Sequence, residues 1–228
     1  MVDLVVAVDI AALCIVASIL IAGLGEQPAL LVLLGGLATA VSMRPVRIRA
    51  LKLQLAPADA FIFAAIVMLG PLAAILIALM ATVAAAVRGG QRRVLLRLAF
   101  NSGTAVLSVA SAWWVFSALG GRVGGPPAQA ILPLSTAATA FFLVNSLLVA
   151  APISIERQTP YLASLREIAG WCTPKVLVGL AIALAMNAVI GLASIWTLLI
   201  AVVPCWTLAF AYRIQVERKG LSGHPSIS

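Results

Sequence analysis

An all-α, polytopic transmembrane helix bundle is the fold class this sequence predicts, on three observations. Hydrophobic residues make up 63% of the chain and charged residues 10%, with a mean hydropathy of +1.15, far outside the range of soluble domains. Apolar runs suited to a bilayer core of about 30 Å recur along its length. The basic residues gather in short segments between those runs, where the positive-inside rule places cytoplasmic loops. The expected architecture is six spans plus a helical hairpin broken at Gly-Pro, eight helical segments in all, with one interfacial amphipathic helix. The transmembrane domain covers 1–213, and 214–228 form a short polar tail.

The first helix is expected over 4–22 and the second over 28–43, joined by the GLGEQP turn. Asp3 and the lack of any base before the first apolar run argue against a cleaved signal peptide, so this span is expected to be retained. In the next segment, VRIRALKLQL, apolar and basic residues alternate in two runs, Val46-Ile48 and Leu51-Leu53-Leu55, with Ala50 breaking the phase. An extended strip on the membrane surface, bases towards headgroups, and a solvated loop are equally good readings.

Residues 57–87 would measure about 46 Å as one straight helix, well beyond the bilayer core. A single crossing would also put the cluster Arg44, Arg47, Arg49, Lys52 on one side and Arg88, Arg92, Arg93, Arg97 on the other. A hairpin bent at Gly70-Pro71 removes both difficulties, because Pro71 suits the first turn of a new helix and Gly70 the end of the old one. With the hairpin and both termini cytoplasmic, 14 of the 15 basic residues lie inside and only Arg122 outside. With a single crossing five are external and ten internal, so charge favours the hairpin. Each arm is short, about 20 to 25 Å, which suits either a re-entrant element or local thinning of the bilayer.

Further spans are expected over 98–119 and 131–155, separated by the external loop GGRVGGPPAQ, and over 175–191 and 195–213. In ERQTPYLASLREIAGW, Tyr161, Leu162, Leu165, Ile168 and Ala169 share a helical face apart from Ser164, Arg166 and Glu167, the pattern of an amphipathic helix in the inner interface. Trp113, Trp114 and Trp196 fall near the outer interface, and Trp171 and Tyr212 near the inner one.

Several functions are excluded on residue types. The net charge of +8 is spent on short loops, so nucleic-acid binding is not expected; lipid is the natural partner. Cys14, Cys172 and Cys205 form no C-x-x-C pair, and the sole histidine, His224, sits in the tail, leaving no metal site and no cofactor expected. There is no H-E-x-x-H, G-x-S-x-G or P-loop, and the chain is not expected to be an enzyme.

Polar groups inside lipid are costly and mark candidate sites. Asp9, Asp59 and Asn101 fall in the cytoplasmic half of this topology and Asn145 near the middle, so the four could line one inward-facing ligand pocket. Asp59 also reads as a helix N-terminal acid favoured by the dipole, and Asn101, Asn145 and Asn187 as interhelical hydrogen-bonding groups. Gly70-Pro71 reads either as a plain turn at the outer interface or as a hinge whose open carbonyls hold a ligand.

The segment from PADAFIFAAIVMLGP through RLAFNSGTA to TAFFLVNSLLV, with Gly70-Pro71, Phe100-Asn101, Phe141-Phe142 and Asn145, resembles the multi-helix membrane input domains that precede GGDEF or HD-GYP output domains in bacterial cyclic-di-GMP signalling proteins. The resemblance covers about half the chain and implies a bacterial inner-membrane sensor. The sequence runs about 15 residues past its last expected span, so the resemblance would require either a separate cytoplasmic signalling partner or a truncated chain. The hairpin region is similar, too, to substrate-binding subunits of energy-coupling-factor vitamin transporters, which would imply an ATPase partner and a coupling face at Ala7 and Ala11. A structural subunit of a membrane complex is the third reading.

Overall fold

The structure, a computed structural model of the chain, describes residues 28–43, 46–48, 53–55, 58–89 and 94–192. The expected spans over 4–22 and 195–213, and the candidate Asp9, lie outside the described residues. The chain divides into two compact units, Met1–Asn187 and Ala188–Ser228, and the first holds nearly all of the described residues.

Six helices are described: α1 (Pro28–Met43), α2 (Ala58–Met68), α3 (Pro71–Gly89), α4 (Val94–Ala118), α5 (Pro127–Arg157) and α6 (Tyr161–Leu192). Between α1 and α2, strands β1 (Val46–Ile48) and β2 (Leu53–Leu55) pair antiparallel, with Val46 opposite Leu55, Arg47 opposite Gln54 and Ile48 opposite Leu53. Of the two readings, an extended strip and a solvated loop, neither anticipated the pairing: the two extended runs fold against each other. The phase slip at Ala50 falls between the strands, where a period-2 pattern must be interrupted for the chain to reverse.

The centre of the first unit is α2. Its sequence, ADAFIFAAIVM, is apolar around the whole circumference, which is the composition of a helix enclosed on all sides, and all eleven residues are buried. It packs against α1, α3 and α5, while α3 packs on α4 and α4 on α5. Phe63 of α2 meets Phe141 of α5 edge to face, with ring centroids 5.3 Å apart and planes at 81°, a geometry that adds about 0.5 to 1.5 kcal/mol to the burial itself. The α1–α3 contact is close because Gly35 leaves room for Met80, whose Sδ would lie 3.1 Å from a Cβ there.

The break between α2 and α3 falls at Gly70, as the sequence predicts. Gly70 takes φ +88°, open to glycine at little cost, and its N–H donates to the Ala65 carbonyl at 2.9 Å, which also accepts from Leu69 at 2.8 Å. Val67 needs another donor, because the residue four positions on is Pro71, which has no N–H. The loop between α4 and α5 supplies it: the Gly124 N–H donates to the Val67 carbonyl at 2.9 Å. The hairpin break and the glycine-rich loop therefore occupy the same end of the bundle, as the expected topology requires.

At the opposite, basic end, Arg97 of α4 pairs with Glu156 of α5 at 3.7 Å, and Arg157 bonds both carboxylate oxygens of Glu167 at 3.1 and 3.2 Å. Gln158 caps α5 in the left-handed region at φ 52°. Ser154 Oγ donates to the Thr159 carbonyl at 2.7 Å, the Thr159 and Ser164 hydroxyls bond at 2.8 Å, and Tyr161 Oη donates to the Leu147 carbonyl at 3.0 Å.

One expectation about element boundaries is corrected. The interfacial helix and the span after it form one continuous helix of 32 residues, α6, which runs through Pro174. An interior proline deletes one backbone hydrogen bond without necessarily ending the helix, and α5 likewise carries Pro133 and Pro152 inside its 31 residues. Among the described residues, Leu95–Ala118 and Pro127–Arg157 are long and apolar enough to cross a bilayer by length and composition; Pro28–Met43, Ala58–Met68, Pro71–Val87 and Val176–Ala188 are shorter apolar helices. The coarse all-helical class holds, with β1 and β2 as the one sheet element among the described residues.

Candidate functional site

The candidate residues separate by position. Asp59 lies in the first turn of α2, only 6% exposed, the sole polar side chain of that helix. A carboxylate there is favoured by the N-terminal N–H groups of α2. Asn145 is half-buried on α5, whereas Asn101 is exposed on α4 and does not join Asp59 in the interior.

Register relates Asp59 to Asn145. The loop bond from Gly124 to Val67 sets the end of α2 beside the start of α5, so the two helices run in opposite directions. Phe63 and Phe141 meet between them, with Asp59 one helical turn before Phe63 and Asn145 one turn after Phe141. Asp59 and Asn145 each lie one turn from that ring contact, on the side away from the Gly124–Val67 bond.

A third element closes on the same place. A Cβ at Gly179 of α6 would lie 3.3 Å from the Ala60 nitrogen and 3.4 Å from the Asp59 Cβ. Gly179, Ala183, Met186 and Asn187 are the buried positions of that part of α6. Sequence reasoning missed Gly179; its only signal is a small residue one turn before Ala183, a weak cue in a chain so rich in alanine. It missed Gly124 as well, although the absent N–H at Pro71 implies that some donor must reach Val67.

Among the described residues, four buried side-chain atoms have no hydrogen-bond partner: Thr39 Oγ1, Thr104 Oγ1, Ser146 Oγ and Asn187 Nδ2. Leaving such an atom unsatisfied costs about 1 to 3 kcal/mol, and a bound polar molecule is one way to recover it. Ser146 follows Asn145 directly, while Thr104, Thr39 and Asn187 stand on α4, α1 and α6. Other hydroxyls are satisfied within their own helix: Ser42, Thr82, Ser108 and Ser111 each donate to the carbonyl four residues back.

Gly70 and Pro71 stand at the far end of α2, eleven and twelve residues on from Asp59, so hinge and carboxylate are separate features. Comparison with protein families, with characterised proteins and with solved structures finds no match to this chain.

Proposed function

We propose that this chain is a multi-pass bacterial inner-membrane protein, with six spans plus the 57–87 hairpin and cytoplasmic termini, that works as a sensor-type module. It binds a small polar ligand at Asp59 and Asn145 and passes the signal to a separate cytoplasmic partner. The observation that supports the reading is a buried carboxylate at the head of a short, fully enclosed helix, with Asn145 one turn beyond the ring that Phe63 of that helix meets. Ionisable side chains in such surroundings mark binding or transport sites.

The surface supports the membrane setting. Leu95, Trp114, Leu132, Leu162 and Val32 are all at least 70% exposed, an apolar exterior suited to lipid tails. Exposed Ser135, Thr136 and Thr139 spend their hydroxyls on carbonyls one turn back, so they present no unmet donor to lipid.

The test is thermal stability of the purified protein across a panel of polar metabolites. A stabilising ligand whose effect is lost in Asp59→Ala and in Asn145→Ala supports the site; undiminished stabilisation in both variants rejects it. A transporter is the second reading, favoured by the helix break at Gly70-Pro71, and it would move its solute across proteoliposomes where a sensor would not. An energy-coupling-factor subunit would in addition co-purify with an ATPase pair.

A further inference from the structure

We propose that the 119–126 loop is a strap that sets the position of α2, so that displacing it at one end of the bundle moves Asp59 at the other. Regulation of ligand binding by this route rests on the proposed ligand role of Asp59; the mechanical coupling does not.

The strap is anchored on α4 and grips the end of α2. Its foot is Gly121, seated so closely on Phe116 that a Cβ would lie 2.6 Å from the ring. Its grip is the Gly124 N–H on the Val67 carbonyl, reinforced by Val123, whose Cγ2 would lie 3.6 Å from a Cβ at Gly70. Gly124 holds φ +68°, a conformation that glycine tolerates and side chains rarely do. The grip exists because Pro71 withholds the donor a continuous helix would have offered.

The rest of α2 makes the coupling direct. Between Asp59 and its carbonyl end the helix carries only apolar side chains, so its polar fixings are confined to its two ends. Non-directional packing resists separation from neighbours but specifies axial position less sharply than a hydrogen bond does. Val67 stands eight residues after Asp59, about 12 Å along a rigid helix. A shift at the strap is therefore delivered to Asp59 and to its contact with Gly179, giving a route from the loop surface to the interior.

Hydrogen exchange of the full chain in lipid nanodiscs tests this without any ligand. In Gly121→Val the added side chain meets the Phe116 ring and lifts the strap. Amides of 58–62 and 177–181 are then expected to exchange at least about tenfold faster, with 154–165 at the far corner unchanged. Faster exchange confined to 116–126 would overturn the proposal. Pro71→Ala provides the second arm and keeps the loop sequence intact. Its new N–H competes for the Val67 carbonyl, and the Gly124 amide is expected to exchange at least about tenfold faster. Unchanged protection of Gly124 in that variant would equally overturn it.

Discussion

Gly179 of α6 approaches Asp59 of α2 so closely that a Cβ on the glycine would stand 3.4 Å from the Cβ of the aspartate. The contact brings the long helix against the head of the short one, and the approach is tight enough that a branched side chain there must displace its neighbours. Gly179→Val is expected to lower stability by about 1 to 3 kcal/mol through overpacking, read as a fall in the midpoint of thermal unfolding in detergent. Gly170, which has open space around its Cβ position, is the control, and Gly170→Ala on the same helix should leave the midpoint within about a degree or two.

Features of the fold are legible in the sequence where they are local. The break at Gly70-Pro71 is, because both residues act through their own backbones, and so is its sharing an end with the glycine-rich loop, through charge counting. The pairing of β1 with β2 is half legible: alternation marks both strands, while the slip at Ala50 fits an unfolded strip as well as a reversal. Continuity of α6 through Pro174 is not legible, since a proline in sequence signals a boundary while a helix can absorb the loss of the one N–H it removes. Asp59 stands out as a polar group in an apolar run. Its relation to Asn145 is read through the Phe63–Phe141 contact, a long-range pairing that no single segment encodes.

That ring pair is open to a double-mutant cycle. Phe63→Leu and Phe141→Leu should each destabilise, and their combined effect should fall short of the sum by about 0.5 to 1.5 kcal/mol, the coupling of an edge-to-face pair. Strict additivity in chemical unfolding would show that the rings do not interact, and would remove the contact through which Asp59 is related to Asn145.

Gly70 should tolerate substitution poorly. At φ +88° an alanine is strained although the nearest neighbour, Val123, leaves ordinary van der Waals room. Gly70→Ala is expected to cost about 1 to 3 kcal/mol, visible as a lowered unfolding midpoint. Gly36→Ala, in a helix with nothing within 4 Å of the added carbon, should be neutral or slightly stabilising.

The Arg157–Glu167 pair is exposed on both partners, so its contribution is small and screened. A cycle of Arg157→Ala and Glu167→Ala should give a coupling of about 1 kcal/mol or less at low salt. Repeating the cycle in about 1 M NaCl should bring it close to zero, because charges in solvent at that ionic strength are screened within about 3 Å.

The central claim is that residues 57–87 form a hairpin with both ends on the cytoplasmic side and its turn beside the 119–126 loop. Single cysteines at Ile48, Gln91 and Arg122, in a background with Cys14, Cys172 and Cys205 replaced, test it by labelling with a membrane-impermeant thiol reagent. In intact cells the Arg122→Cys protein should be labelled, while Ile48→Cys and Gln91→Cys should react only after the membrane is opened. Labelling of either Ile48→Cys or Gln91→Cys without the other in intact cells would place the two ends on opposite sides and contradict the hairpin.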